Sequence, residues 1–192
     1  MNWNKHSELE GLHAYLSGSK YHWLNYTKEQ LYSSYHNLLA AQRGTELHET
    51  ASRMIKQGIY ADRTTQTLNM FVNDAIDYHM RSEQVLYYSH NAFGTADAIS
   101  FRKEKGILTL RIHDLKTGNM PTHMEQLMIY AAYFCLEYNV KPKEIQIILR
   151  IYQKNDIFEM LADPEKIQEI MDKTVEADKL IDQIIEEEGD DL

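Results

Sequence analysis

The amino-acid sequence predicts an α/β fold: a central mixed β-sheet of about four to five strands flanked by helices, behind a helical N-terminal segment. Three observations carry this expectation. The hydrophobic period is helical between residues 41 and 80 and changes to the two-residue period of strands between 84 and 115. A nearly all-apolar helix, MEQLMIYAAYFCLEY, then separates those strands from a fourth strand-like run at 144–153. An acidic amphipathic helix follows from Asp163-Pro164.

Residues 7–40 are rich in aromatic side chains and read as helical in pieces, broken at Ser17-Gly18-Ser19. Their Tyr15, Tyr21, Trp23, Tyr26 and Tyr32 are expected to pack, with base stacking as the functional alternative. A helix over about Ala41–Gln57 aligns Leu47, Ala51, Met54 and Ile55, and another over about Thr64–Met80 aligns Leu68, Phe71, Val72, Ala75 and His79. Strands are expected near 84–90, 93–102, 107–115 and 144–153. Thr122 and Glu125, with Pro121 before them, have the spacing of a capping box and would open the apolar helix. Asp163 followed by proline marks the start of the last helix, whose apolar positions are Ile167, Ile170, Met171, Ile181, Ile184 and Ile185. With no repeats, no low-complexity linker and 3 prolines, residues 1–192 read as a single domain with an acidic C-terminal helix and tail at about 163–192.

The polar opening MNWNKHSELEG has no apolar core of a signal peptide, and the run Leu127–Leu136 is too short to cross a bilayer. No membrane association is expected, and a reducing cytoplasm is the expected compartment. One cysteine, Cys135, excludes an internal disulfide and any four-cysteine zinc or iron–sulfur site. The net charge of −9 is unevenly spread. Residues 155–192 hold 14 Asp/Glu against 3 Lys/Arg, whereas residues 1–154 hold 15 against 17. The acidity is thus confined to one segment, and the rest is too weakly basic to identify a nucleic-acid partner by charge.

Chemistry enters where the strand pattern breaks. In ILTLRIHDLKTG the phase of Leu108, Leu110 and Ile112 continues into Asp114 and Lys116. In FGTADAISF, Asp97 shares a phase with Phe93, Ile99 and Phe101. Burying an isolated charge costs several kcal/mol or more unless it is paired or bound to a metal. One reading is a buried Asp–Lys ion pair at a strand end. The other is a hairpin that brings two carboxylates to one point, which suits a divalent cation, beside a lysine that can hold a water.

These residues also carry a resemblance. Gly94-Thr95-Ala96-Asp97 followed by Asp114-Leu115-Lys116-Thr117-Gly118 resembles the D…(D/E)xK signature of the PD-(D/E)XK nuclease superfamily. Gly44-Thr45-Glu46-Leu47-His48 and Gln126-Leu127-Met128-Ile129-Tyr130 resemble the G-x-x-x-H and Q-x-x-x-Y motifs of its RecB-type, lambda exonuclease-like branch. Each motif alone is weak, but the four occur in the order of that branch across residues 44–130, and HAYLSGSKYHWLNYT is similar to the opening of phage-encoded members. Asp114 stands where glutamate is commoner, and the cysteines of the cluster-bearing relatives are absent.

The resemblance implies a restriction-endonuclease-like core and a metal-dependent DNA nuclease, an exonuclease of recombination, replication or repair. It implies Asp97, Asp114 and the backbone carbonyl of Leu115 as ligands of Mg²⁺ or Mn²⁺, with no iron–sulfur cluster, and His48 as a further ligand. Lys116 would orient the attacking water, and Gln126 and Tyr130 would shape the site. Glu83 would stand in an outer layer at most. The partner implied is DNA, and the weak basic charge points to a homo-oligomer or a recombination partner protein that adds affinity. The alternatives from the residues alone are a half-buried structural His48, a core Tyr130, and a catalytically inactive nuclease-fold module that binds DNA or protein. No metal-ligand spacing stands out among His6, His13, His22, His36, His79, His90, His113 and His123.

Overall fold

A computed structural model describes residues 14–118 and 123–189, and its contacts divide the chain into a unit ending at Arg43 and a unit beginning at Gly44. In the first unit, 3-10 turns within Gly18–Asn25 are interrupted at Lys20, and the Trp23 indole N–H donates to the Ser17 carbonyl at 3.2 Å. Helix α1 (Lys28–Gln57) starts earlier than the hydrophobic period indicates. Its start is a reciprocal cap: the Thr27 N–H donates to Gln30 Oε1 (2.8 Å) and the Gln30 N–H donates to Thr27 Oγ1 (3.2 Å). Tyr15 and Tyr35 meet edge to face at 5.2 Å. Tyr21, Tyr26 and Tyr32 are exposed, against the packing expectation, because one helix and a short 3-10 segment provide no second layer among the described residues of this unit.

The second unit takes up α1 at Gly44 and continues with α2 (Thr67–Asp77), β1 (Arg81–Tyr87), β2 (Phe93–Glu104) and β3 (Ile107–Leu115). It then adds α3 (Glu125–Glu137), β4 (Gln146–Gln153), β5 (Asp156–Leu161) and α4 (Pro164–Gly189). The strands form one mixed sheet in the order β1-β2-β3-β4-β5, antiparallel throughout except for the parallel pair β3–β4. The expected α/β sheet flanked by helices is therefore present. The strand absent from the expectation is β5, which leaves β4 through Lys154 and Asn155. Both residues have positive φ (52° and 62°), the backbone of a tight primed hairpin turn, here without the glycine that advertises one. As an edge strand, β5 is mostly exposed and shows no clear alternation.

Helix α3 covers one face of the sheet and packs on α4. Leu127, Ala131 and Phe134 lie against Leu110, Ile112, Ile147 and Leu149. On the other face, Ala51 and Ile55 of α1 and Phe71, Val72 and Ala75 of α2 lie over Ala98, Leu115 and Tyr152. Covered on both faces, β3 is buried continuously from Thr109 to Leu115, so the alternation expected for it is absent, and Leu108 is exposed. A network links the polar residues on the α2 side. The Tyr152 hydroxyl donates to Asp74 (2.6 Å), and Arg150 pairs with Asp74 (2.8 Å) and with Glu159. Arg111 grips Glu104 and stacks over Tyr78.

The last helix begins as expected, with Asp163 Oδ1 accepting from the Glu165 N–H at 3.0 Å. The cap of Thr122 and Pro121 lies outside the described residues; α3 itself starts at Glu125, after Met124. Among the described residues, no helix is long and apolar enough to cross a membrane.

Candidate active site

Three adjacent strands deliver three carboxylates to one row. The register that pairs Ala98 with His113 sets Asp97 opposite Asp114, one step further along. The register that pairs Ser82 with Ala98 and Gln84 with Ala96 sets Glu83 opposite Asp97. Neither of these two opposed positions joins the ladder. Glu83 takes a left-handed conformation (φ 53°), strained for a residue with a Cβ, and drops out of the pairing between β1 and β2 at this point. The phase of β2 slips there as well: Ala96 and Ile99, three residues apart, both join the core under α3, while Ala98 joins the opposite core. Asp97 therefore does not continue the row of Phe93 and Phe101, both of which are exposed. The slip frees Asp97 Oδ2 to accept the Leu115 N–H at 2.8 Å.

Helix α1 supplies His48 from above this row, with Nδ1 3.3 Å from Asp97 Oδ2. Gly44, one turn earlier, lets the helix come this close, since a Cβ there would stand 2.9 Å from Thr117 Oγ1. Ligand atoms of His48, Glu83 and Asp97 lie within 4.8 Å of one another. Asp114 is not one of these three. Only 3% exposed, it lies with Oδ2 in an ion pair 3.0 Å from Lys116 Nζ. Lys116 Nζ donates to Gln126 Oε1 (2.8 Å), and Gln126 Nε2 donates to the Tyr130 hydroxyl (3.1 Å). Asp114, Lys116, Gln126 and Tyr130 thus form a continuous polar chain from β3 to α3.

The electrostatics show what the row lacks. Burial first and Asp97 second push the Asp114 carboxyl above its usual range, and the same two causes raise Glu83. The hydrogen bond to Asp97 raises His48. Like charges crowd together, and a positive charge is favoured between them.

No family model, curated protein or solved structure matches this chain.

What the site can do rests on its own geometry. Oxygen donors from Glu83 and Asp97 with one imidazole nitrogen suit a hard or borderline divalent ion, and the buried carboxylate of Asp114, ion-paired with Lys116, stands beside them. The residues fit such an ion.

Of the residues expected from the sequence, His48 and Asp97 come together at the cluster, while Asp114, Lys116, Gln126 and Tyr130 come together as the chain beside it. Leu115 enters through its N–H. Glu83, expected only in an outer layer, reaches the centre. Its strand position gave no sign of this, because a regular strand would hold it in a different direction from the one its left-handed backbone gives it.

Beside His48 and Glu83 opens a cleft of about 560 Å³ along α1, which includes Ser52, Arg53 and Lys56. None of these three stood out in the sequence.

Proposed function

We propose that this protein is a divalent-metal-dependent DNA nuclease, working from DNA ends. The observation that carries this reading is the adjacency of the His48–Glu83–Asp97 cluster to the Asp114–Lys116 pair: a seat for a cation beside an ammonium held in place. The motif resemblance to PD-(D/E)XK nucleases supports it.

His48, Glu83 and Asp97, with Asp114 alongside, would hold the cation, which would supply Lewis-acid polarisation of a phosphoryl oxygen and an attacking water more readily deprotonated near neutral pH. The chain's own groups supply the rest. Lys116 has three N–H donors; one is fixed by Gln126 and another faces Asp114, which leaves the third for the attacking water or the phosphoryl oxygen. The ammonium stabilises the negative charge that grows on phosphorus-bound oxygen as the water oxygen bonds to phosphorus and the P–O bond to the leaving sugar breaks. The attacking water gives up its proton to solvent, and the leaving oxygen takes one up from solvent. Because Gln126 donates to the Tyr130 oxygen, the phenolic proton remains available to a phosphate or sugar of the bound nucleotide.

End preference follows from the same groups. An amide and a phenol on one helix face can hold a terminal nucleotide but do not read base edges in a groove, so phosphate contacts should dominate binding. Incubation of end-labelled linear DNA and covalently closed circles with Mn²⁺, with Mg²⁺ and with EDTA tests the reading. Progressive shortening of linear DNA, intact circles and silence in EDTA are expected. Discrete fragments from circles would show an endonuclease. DNA binding without cleavage in either ion would show a nuclease fold retained as a binding module.

A further inference from the structure

We propose that the cleft beside the cation cluster, floored by Ser52 and edged by Arg53 and Lys56, seats a second phosphate of the nucleic-acid strand, one nucleotide from the phosphate that is cut. This inference rests on the nuclease reading and assigns that site a phosphate-binding subsite.

The cleft follows one face of α1. Ser52 is one turn beyond His48 and Lys56 one turn beyond Ser52, so cation ligand, hydroxyl and ammonium succeed one another at steps of about 6 Å along the helix. Successive phosphates of an extended strand are separated by a distance of the same order. A strand with one phosphate at the cluster would therefore lay its neighbour over Ser52 and Lys56, with Arg53 on the rim.

Ser52 is the decisive residue. It is only 6% exposed, and its Oγ is buried with no hydrogen-bond partner among the described residues, although the residue itself lines the open cleft. A buried hydroxyl without a partner destabilises a fold, and alanine is the better helix former, so packing alone does not call for serine here. Turned toward the cleft about its Cα–Cβ bond, that hydroxyl would find an acceptor in a phosphate oxygen seated there.

Arg53 and Lys56 are exposed, and neither forms an ion pair among the described residues. Lys56 does act electrostatically on Glu83, across the mouth of the cleft. Glu49 also lines the cleft and opposes an anion. Glu83 lines it too, so Arg53 and Lys56 only balance the two carboxylates, and it is a cation bound at the adjoining cluster that would turn the cleft toward an anion. Phosphate binding in the cleft and cation binding at the cluster are therefore coupled.

The test uses the full chain, short duplex oligonucleotides and Mn²⁺, and compares Ser52→Ala and Lys56→Gln with wild type. Ser52→Ala should raise the melting temperature of the free protein yet weaken DNA binding. Lys56→Gln should weaken binding several-fold and lower the slope of log affinity against log salt by about one. Each phosphate beside the cleaved bond is then replaced in turn by a neutral methylphosphonate. At one of the two positions, wild type and both variants should bind and cleave equally. If the variants' defects persist at both positions, or if Ser52→Ala gains stability with no loss of affinity, the cleft is not a phosphate seat. If wild type itself neither binds nor cuts DNA, the nuclease reading falls and this inference with it.

Discussion

Gly94 lies directly beneath Tyr130: a Cβ at position 94 would stand 2.7 Å from Tyr130 Cε1. The absence of a side chain on β2 is what lets the phenol sit where Gln126 can donate to it, and Gln126 in turn holds Lys116. Gly94→Ala should push the ring aside and loosen the ammonium two contacts away. The fold should survive, at an overpacking cost of about 1–3 kcal/mol, because the obstructing atom belongs to a side chain that can rotate. Turnover should fall while the gain in melting temperature on adding Mn²⁺ is unchanged. Unaltered turnover would separate Tyr130 from the positioning of Lys116.

The second expectation concerns the cation. Chelator should abolish cleavage, and saturating Mn²⁺ or Mg²⁺ should restore it and raise the melting temperature. The stabilisation expected at a hundredfold excess over Kd is about 2.7 kcal/mol. Glu83→Gln should reduce this gain for both ions, since it removes an oxygen charge from the cluster. His48→Ala should reduce it more for Mn²⁺ than for Mg²⁺, because the harder ion gains less from an imidazole. Thermal scans with each ion check both. Equal, small losses for His48→Ala would return that residue to helix packing.

Lys116→Ala and Asp114→Asn address the neighbouring pair. If both act in the transition state, turnover should collapse while the folded state remains. Asp114→Asn should leave the metal-free protein as stable as wild type or more so. The carboxyl it replaces is buried, near Asp97 and raised in pKa, so removing its charge relieves repulsion as well as an ion pair. Single-turnover assays together with denaturant unfolding check this. Near wild-type turnover in either variant would make the two residues a structural pair.

How much of this was legible in the sequence depends on which signals are local. Asp97 and Asp114 stood out as charges in apolar strand segments. Extending the β2–β3 register by one step beyond Ala98 and His113 sets the two positions opposite each other. The detail was hidden by tertiary context. β3 is covered on both faces, so its polar residues His113 and Arg111 are as buried as its apolar ones, and alternation carries no information there. Glu83 was placed too far out because its positive φ and the slip of β2 reverse directions that a regular strand would fix. β5 was missed because its turn, Lys154-Asn155, lacks glycine. Ser52 looks ordinary in any helix; only the missing partner for its hydroxyl marks it.

The last expectation is a pH dependence of stability arising from His113. Its ring is enclosed by Tyr78 and Tyr152, and burial, then Arg150 and Arg111, hold its pKa well below the ordinary histidine value. The hydrogen bonds agree with this. The Tyr152 hydroxyl proton is committed to Asp74 at 2.6 Å, so the 3.2 Å contact with His113 is made by Nδ1–H donating to the phenol oxygen. Nε2 then has only a lone pair and no partner among the described residues, and protonation would bury an N–H with no acceptor. In the unfolded chain the same imidazole titrates near pH 6.5. Above that pH it is neutral in both states and contributes nothing to the pH dependence. Below it the unfolded chain takes up a proton that the native state refuses, and stability should fall by as much as about 1.4 kcal/mol per pH unit until the folded pKa is reached. Glu83 and Asp114, with raised carboxyl values, and His48, also raised, act in the opposite direction as pH falls, so the comparison must isolate one residue. His113→Asn, whose amide can still donate to the phenol, serves for this. Urea unfolding in chelator should show the difference in stability between wild type and variant shrinking, or turning in the variant's favour, from pH 7 to pH 5. A difference that stays constant over that interval would mean that the native state accepts the proton at His113 as readily as the unfolded chain does.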